Sequence, residues 1–216
     1  MNEIEKGKKG KVKPYDFKEP EITQFHELDL YGTYSYAQYL LWKFEDRVEL
    51  IRGKVFKMAA PNTDHQDVAG NLFYELRNFL KDKNCRAYIA PCDVCFPKTS
   101  TEDDAIFTVL QPDVFVLCDK NKREYRGFIG APDLVVEVLS PGNSKKAIAL
   151  KFGIYQEFGV KEYWFINPVK LTVLKYVLQS DGLYNSGTTY AEEEVVTSDV
   201  LPGFSISLKT VFDFWR

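Results

Sequence analysis

The stretch "PDLVVEVLSPGNSKKAIALK", Pro132 to Lys151, carries the reading of this chain. Its first half is a short run of Leu and Val that reads as a β-strand covered on both faces. Glu137 stands in the middle of that run. An ionised carboxylate in such a place costs several kcal/mol, of order 2–7, unless something pairs with it. Either a neighbouring cation satisfies Glu137 for structural reasons, or the position exists to hold one. The second half reads as a helix, with Asn143 or Ser144 as its cap and Ile148, Phe152, Tyr155 and Phe158 facing inward. Gly159 is placed to end it.

The other strongly apolar strand is "QPDVFVLC", and the polar stretch "DKNKREYRGFIGA" separates the two. Two Pro-Asp pairs therefore compete as partners for Glu137, one with Asp113 and one with Asp133. Opposite residues of an antiparallel pair keep a constant sum. If residue 117 faces 133, then 113 faces 137, and the connecting loop centres on Tyr125. Cβ atoms directly opposite lie ~5 Å apart, whereas Asp133, four residues away on the same strand, would lie ~13 Å off. Asp113 is the expected partner and Asp133 a turn residue. Two carboxylates that close repel by about 3 kcal/mol at an effective dielectric of ~20, so one takes up a proton or a cation sits between them. All-oxygen ligands select a hard ion, Mg²⁺ or Mn²⁺. The alternative is a structural pair neutralised by Lys or Arg. Lys151 is the natural cation, on the following helix and sharing a face with Tyr155 at i+4.

Outward from this centre, "RVELIRGKVFKMAAP" reads as two strands joined at Arg52-Gly53. "NTDHQDVAGNLFYELRNFLKDKN" is the clearest helix, capped by Asn62 or Thr63, with Val68, Leu72, Leu76, Phe79 and Leu80 as its apolar stripe. A short helix follows Ser35. "CRAYIAPCDVCF", "KEYWFIN" and "LTVLKYVL" read as strands, "SDG" as a turn, and the C-terminal part as further β-structure with a short terminal helix. The sum is an α/β (α+β) chain with a mixed sheet flanked by two principal helices. Residues 1–20, with five lysines between Lys6 and Lys13, read as a flexible basic tail, and 21–216 as one domain.

The chain has 216 residues, 45% hydrophobic and 15% aromatic, which excludes disorder over most of its length. No run approaches the ~18 apolar residues of a membrane span, and the N-terminus lacks the apolar core of a secretory signal. The four cysteines suggest a reduced, cytoplasmic protein, and Cys92-x-x-Cys95, without a second pair, reads as structural rather than zinc-binding. A net charge of −3 argues against a passive nucleic-acid coat. With no GxxxxGK[ST] and no GxGxxG, a nucleotide cofactor has no support.

An aspartate opening one strand, a glutamate on the next and a nearby lysine resemble the PD-(D/E)xK nuclease superfamily. More narrowly, "ELIRGKV", "AAPNTDH", "QPDVFVL", "GAPDLVVEVLSP", Lys151, Tyr155 and "GVKEYWFINP" resemble the Uma family of restriction-endonuclease-like proteins, in consistent order over about residues 33–212. The resemblance implies a restriction-endonuclease-like core and Mg²⁺- or Mn²⁺-dependent hydrolysis of DNA phosphodiesters. It implies Asp113 and Glu137 as metal ligands, Lys151 as catalytic lysine, Glu49 as a further acidic site residue, and His65 and Tyr155 as site-lining. Leu139 occupies the third motif position, so Lys151 must reach the site from the helix. Ala147 stands where family members commonly carry aspartate. A catalytically silent nuclease fold acting as a DNA-binding or interaction module is the alternative, and a hydrolase of RNA or nucleic-acid ends a third reading. The aromatic C-terminus "VFDFWR" and the need to cut both strands imply a homodimer.

Overall fold

The computed structural model describes residues 21–140 and 145–215. The basic tail and the cap residues Asn143 and Ser144 lie outside them. Ser35 opens α1 (Tyr36–Tyr39), where the Ser35 N–H donates to Gln38 Oε1 at 3.0 Å. The helix stops after one turn, and Trp42 instead packs its ring against Tyr34 and Tyr39. Arg52 and Gly53 both take left-handed backbone angles (φ 52° and 78°), the geometry a two-residue hairpin turn demands. They join β1 (Val48–Ile51) to β2 (Lys54–Lys57) as the sequence predicts. Asn62 then caps α2 (Thr63–Phe79), its Oδ1 accepting the His65 N–H at 2.9 Å, and Val68, Leu72 and Leu76 are completely buried.

The segment "CRAYIAPCDVCF" is not one strand. It divides into β3 (Arg86–Ile89) and β4 (Val94–Cys95), which belong to different sheets. Pro91, joined to Ala90 by a cis bond, sits between them; proline has no N–H to continue a ladder. Next come β5 (Val109–Leu110), β6 (Val114–Leu117), β7 (Phe128–Ile129), β8 (Leu134–Val138) and α3 (Lys145–Glu157). After Gly159 (φ 80°) run β9 (Glu162–Asn167), β10 (Thr172–Val177) and β11 (Thr188–Ala191). The chain ends with β12 (Val195–Thr197), β13 (Ser205–Ser207) and α4 (Leu208–Val211).

The strands form a six-stranded mixed sheet in the order β11-β10-β9-β8-β6-β3, a five-stranded sheet β2-β1-β5-β4-β7, and the β12-β13 pair. The observed pairing of β6 with β8 sets Val114 opposite Val136 and Phe115 opposite Val135, the register whose sums reach 250 and which brings position 113 beside 137. The loop between them is more than a closure, because β7 within it pairs with β4 of the other sheet, in parallel.

Alternation along β8 sorts its side chains between two cores. Leu134, Val136 and Val138 face the cluster built on Val68, Leu72 and Leu76 of α2. Val135 faces the opposite way, toward Ile154 and Tyr155 of α3 and toward Ile51, Val94 and Leu110 of the second sheet. Glu137 shares the face of Val135 by its two-residue spacing. The parallel pairing of β8 with β9 requires a crossover, and α3 supplies it. That is why the helix lies over Glu137.

Glu162, fully buried at the start of β9, accepts from Trp164 Nε1 (2.6 Å), Ser198 Oγ (3.0 Å), and the backbone N–H of Asp199 (2.7 Å) and Val200 (3.0 Å). It ties the C-terminal segment to the main sheet. The expectation of reduced cysteines is corrected at one pair. Cys85 and Cys118 form a disulfide, because the pairing of β3 with β6 sets Arg86 opposite Leu117 and so 85 beside 118. Cys92 and Cys95 are free, and burial, reinforced by Asp93, pushes both thiols above their ordinary range. Among the described residues no helix is long and apolar enough to cross a membrane.

Candidate functional site

The Pro112-Asp113 pair ends just where β6 begins, and Asp113 Oδ2 accepts the Val138 N–H at 2.7 Å. The aspartate thus anchors the end of β8 through its backbone. His65, in the first turn of α2, brings Nε2 to 3.1 Å from the same oxygen. Its other ring nitrogen, Nδ1, is buried with no hydrogen-bond partner among the described residues.

Glu137 lies beside this pair, buried. Lys151 Nζ stands 3.0 Å from Glu137 Oε1 and 3.2 Å from Oε2, and the Tyr155 hydroxyl donates a short hydrogen bond to Oε1. The i, i+4 spacing of Lys151 and Tyr155 on α3 puts both on one acid. Glu49 comes from the other sheet. Its position on β1 alternates with Val48 and Leu50, so its carboxylate faces α3, where Oε1 lies 2.8 Å from Lys151 Nζ. The same oxygen accepts the Gln111 N–H at 2.8 Å.

The residues Glu49, His65, Asp113, Glu137 and Lys151 line one cleft of about 480 Å³, with Arg47, Lys57 and Ala147. Asp133 is not among them. It accepts from the Cys118 N–H (2.8 Å) and pairs with Lys161 (2.7 Å) at the far end of β8. Gln111 had no signal in the sequence. Beyond holding Glu49 through its backbone, its side chain accepts from Arg47 and donates to Asp93 at 2.9 Å, bracing the cleft wall.

Two carboxylates, Glu49 and Glu137, meet one ammonium here, and Asp113 lines the same cleft. Burial pushes the Glu137 carboxyl up to about 7; Lys151 pulls it back, while Asp113 and Glu49 push it further. Burial acts the other way on Lys151, but Glu137 and Glu49 together outweigh it and hold the ammonium well above its ordinary value. The asymmetry follows from the count. Lys151 sees several carboxylates, whereas Glu137 sees one cation and two like charges. Burial and the Glu137 charge keep the Tyr155 hydroxyl protonated far above its usual range.

This excess of negative charge and all-oxygen chemistry fit a hard divalent cation. Lys151 lies between Glu49 and Glu137, at 2.8 and 3.0 Å, and among the described residues no three His, Cys, Asp or Glu side chains are gathered around one point as a metal cage. A pair of carboxylates with water completing the shell is the usual Mg²⁺ arrangement, and Asp113 and Glu137, which line the same cleft, could supply such a pair.

Residues 36–209 match the pattern of the family described as "Uma2: Putative restriction endonuclease". The chain belongs to the Uma2 family. Its similarity to the Uncharacterized protein slr1290 of Synechocystis sp. (strain ATCC 27184 / PCC 6803 / Kazusa) is 28% identity over 151 residues, 68% of this chain and 76% of that one. Among solved structures, "a putative nuclease belonging to DUF820" from Anabaena variabilis ATCC 29413 shares the fold at TM-score 0.67 and 21% identity. The match covers 83% of this chain and 97% of that one. The mixed α/β architecture is thus restriction-endonuclease-like, and Uma2 membership puts the chain with a family of nuclease type.

Proposed function

We propose that this Uma2 chain is a metal-dependent phosphodiester hydrolase that acts on DNA as an endonuclease. The observation that carries the reading is the convergence of Glu49, Asp113, Glu137 and Lys151, from two sheets and a helix, on one cleft. Asp113 and Glu137 would hold Mg²⁺ or Mn²⁺, whose Lewis acidity polarises a phosphate oxygen and lowers the pKa of a bound water. The chain's own groups do the rest. Lys151 offers a fixed ammonium to the negative charge that develops on the phosphate. Tyr155 fixes the Glu137 carboxyl through Oε1, and the Lys151 ammonium lies within reach of both of its oxygens. His65 Nε2–H holds Asp113 Oδ2 against the end of β8, and Glu49 steadies Lys151 from the second sheet.

The test is plasmid cleavage with Mg²⁺ or Mn²⁺, comparing wild type with Glu137→Gln and with a chelator present. Cleavage that needs the metal and is lost in Glu137→Gln supports the reading. No cleavage with either metal, or equal cleavage by the variant, refutes it. Ala147, which lines the cleft without adding a carboxylate, favours a second reading, a silent nuclease fold that binds DNA without cutting, and the same assay decides between them.

A further inference from the structure

Away from the carboxylate cleft, Arg77, Lys83, Arg86, Lys120 and Arg123 line a second depression of about 490 Å³. Among the described residues no carboxylate lines it. None of the five forms an ion pair with a described residue; Lys83 instead lies over the Phe79 ring, 3.1 Å from its centroid. A neighbouring depression shares Arg77 and Arg86 and adds Lys81, with Asp82 as its one acid among the described residues. In a chain whose net charge is −3, five exposed cations with no carboxylate among the described lining residues make a local positive field that runs against the average. Such a field attracts anions.

The form of the site selects the anion. The cations come from the last turns of α2, the turn after it, the start of β3 and the loop after β6, and all five are exposed. Five cations lining one depression carry more positive charge than a single small anion would balance, which suits a chain of phosphates. The position relative to the carboxylate cleft also matters. His65 and Ala90 of the cleft lie at the start of α2 and just past the end of β3, whereas Arg77 and Arg86 lie at the opposite ends of these elements. Twelve residues of helix separate His65 from Arg77, ~18 Å at 1.5 Å per residue. At 3.4 Å per base pair that is about five base pairs of duplex axis.

We infer that this groove holds the phosphate backbone of double-stranded DNA about five base pairs from the point where the carboxylate cleft meets it. The inference rests on the reading of the cleft as a DNA site, and its test separates the two. Binding of a fluorescent 20-base-pair duplex, with chelator so that no cutting occurs, is measured as a function of salt. The proteins are wild type, Arg77→Gln/Arg86→Gln/Arg123→Gln, and Lys43→Gln/Lys98→Gln/Lys209→Gln. The last set removes equal charge from exposed lysines that do not line the groove.

Each phosphate contact contributes about 0.9 to the slope of log affinity against log salt, so the groove variant should have a slope shallower by about 3. Between about 50 and 200 mM salt, wild type should then lose roughly 40-fold more affinity than the groove variant. In a cleavage assay the groove variant should raise KM and leave kcat near wild type. Circular dichroism checks that all three proteins are folded, and Arg77→Gln alone, on an exposed helix position, should lower the slope by about 1. An unchanged slope in the groove variant, or an equal loss in the control set, overturns the inference even if plasmid is cut. A slope reduced as expected, in a protein that never cuts, sustains the groove and removes the hydrolase reading instead.

Discussion

Glu137→Gln replaces an acid by an amide of the same shape, and its effect on stability should depend on pH in a way set by the cleft. In the unfolded chain this carboxyl titrates near 4.5, and in the metal-free folded protein at about 7. Between those values the native state binds more protons at this site than the unfolded state. Stability therefore falls as pH rises through that window and levels off above it. At about 1.4 kcal/mol for each tenfold change in proton affinity, the full loss is about 3–4 kcal/mol, or roughly 300-fold in the folding constant. Lys151 acts in the same sense, because its value is raised too, but only above the ordinary 10.5 of a lysine, outside this range. The assay is urea unfolding with chelator at pH 5, 6, 7 and 8 for both proteins. The wild-type free energy minus that of Glu137→Gln should fall by about 3 kcal/mol from pH 5 to 8. Added Mn²⁺ should recover most of that loss at pH 8 for wild type and little for the variant. A difference that stays flat across this range would falsify the account of Glu137 as an acid short of cations.

Other perturbations have outcomes that can be stated in advance. Lys151→Ala should lower cleavage by at least about 100-fold, the order seen when one preorganised donor to transition-state charge is lost. It should keep Mn²⁺ binding by calorimetry, and normal cutting would remove Lys151 from the chemistry. Glu162→Ala leaves two backbone N–H groups and the Trp164 N–H without their acceptor. It should cost roughly 3 kcal/mol or more in urea unfolding, with cleavage per folded molecule unchanged. Asn62→Ala removes the cap that holds the His65 N–H and should cost about 1 kcal/mol; no change in the unfolding midpoint would discount the cap. Light scattering at micromolar concentration should give twice the mass of the chain, as a two-fold pair of cutting sites needs, and the monomer mass would end that expectation.

The legible parts of the fold are those fixed by local pattern. Arg52-Gly53 announces its hairpin because both residues must take positive φ. The stripe of Val68, Leu72 and Leu76 announces α2. The β6–β8 register follows from loop symmetry about Tyr125, which is almost fully exposed. It also set Asp133 apart from Glu137, since one strand cannot bring residues four apart together. What local pattern could not show is contact between sheets. Glu49 meets Lys151 across more than a hundred residues of sequence, and only family resemblance pointed to it. The change of sheet at Pro91 and the diversion of β7 to the second sheet divide segments that look continuous or looped. Cys85 and Cys118 meet only because β3 pairs with β6. The basic groove has no local signature, because its cations come from four separate stretches, none of them unusual alone.

The placement of Glu49 on one sheet and Glu137 on the other bears on how the protein matures. The β1–β2 hairpin can form from neighbouring residues. The ladder of β6, β8 and β9, with its crossover, must wait for longer loops to close. Neither half has the complete acid set. The full cluster exists only when α3 has settled between the layers and Lys151 reaches both carboxylates. A chain whose two layers have not yet met lacks the Glu49–Lys151–Glu137 contact, so this cluster marks the completion of folding.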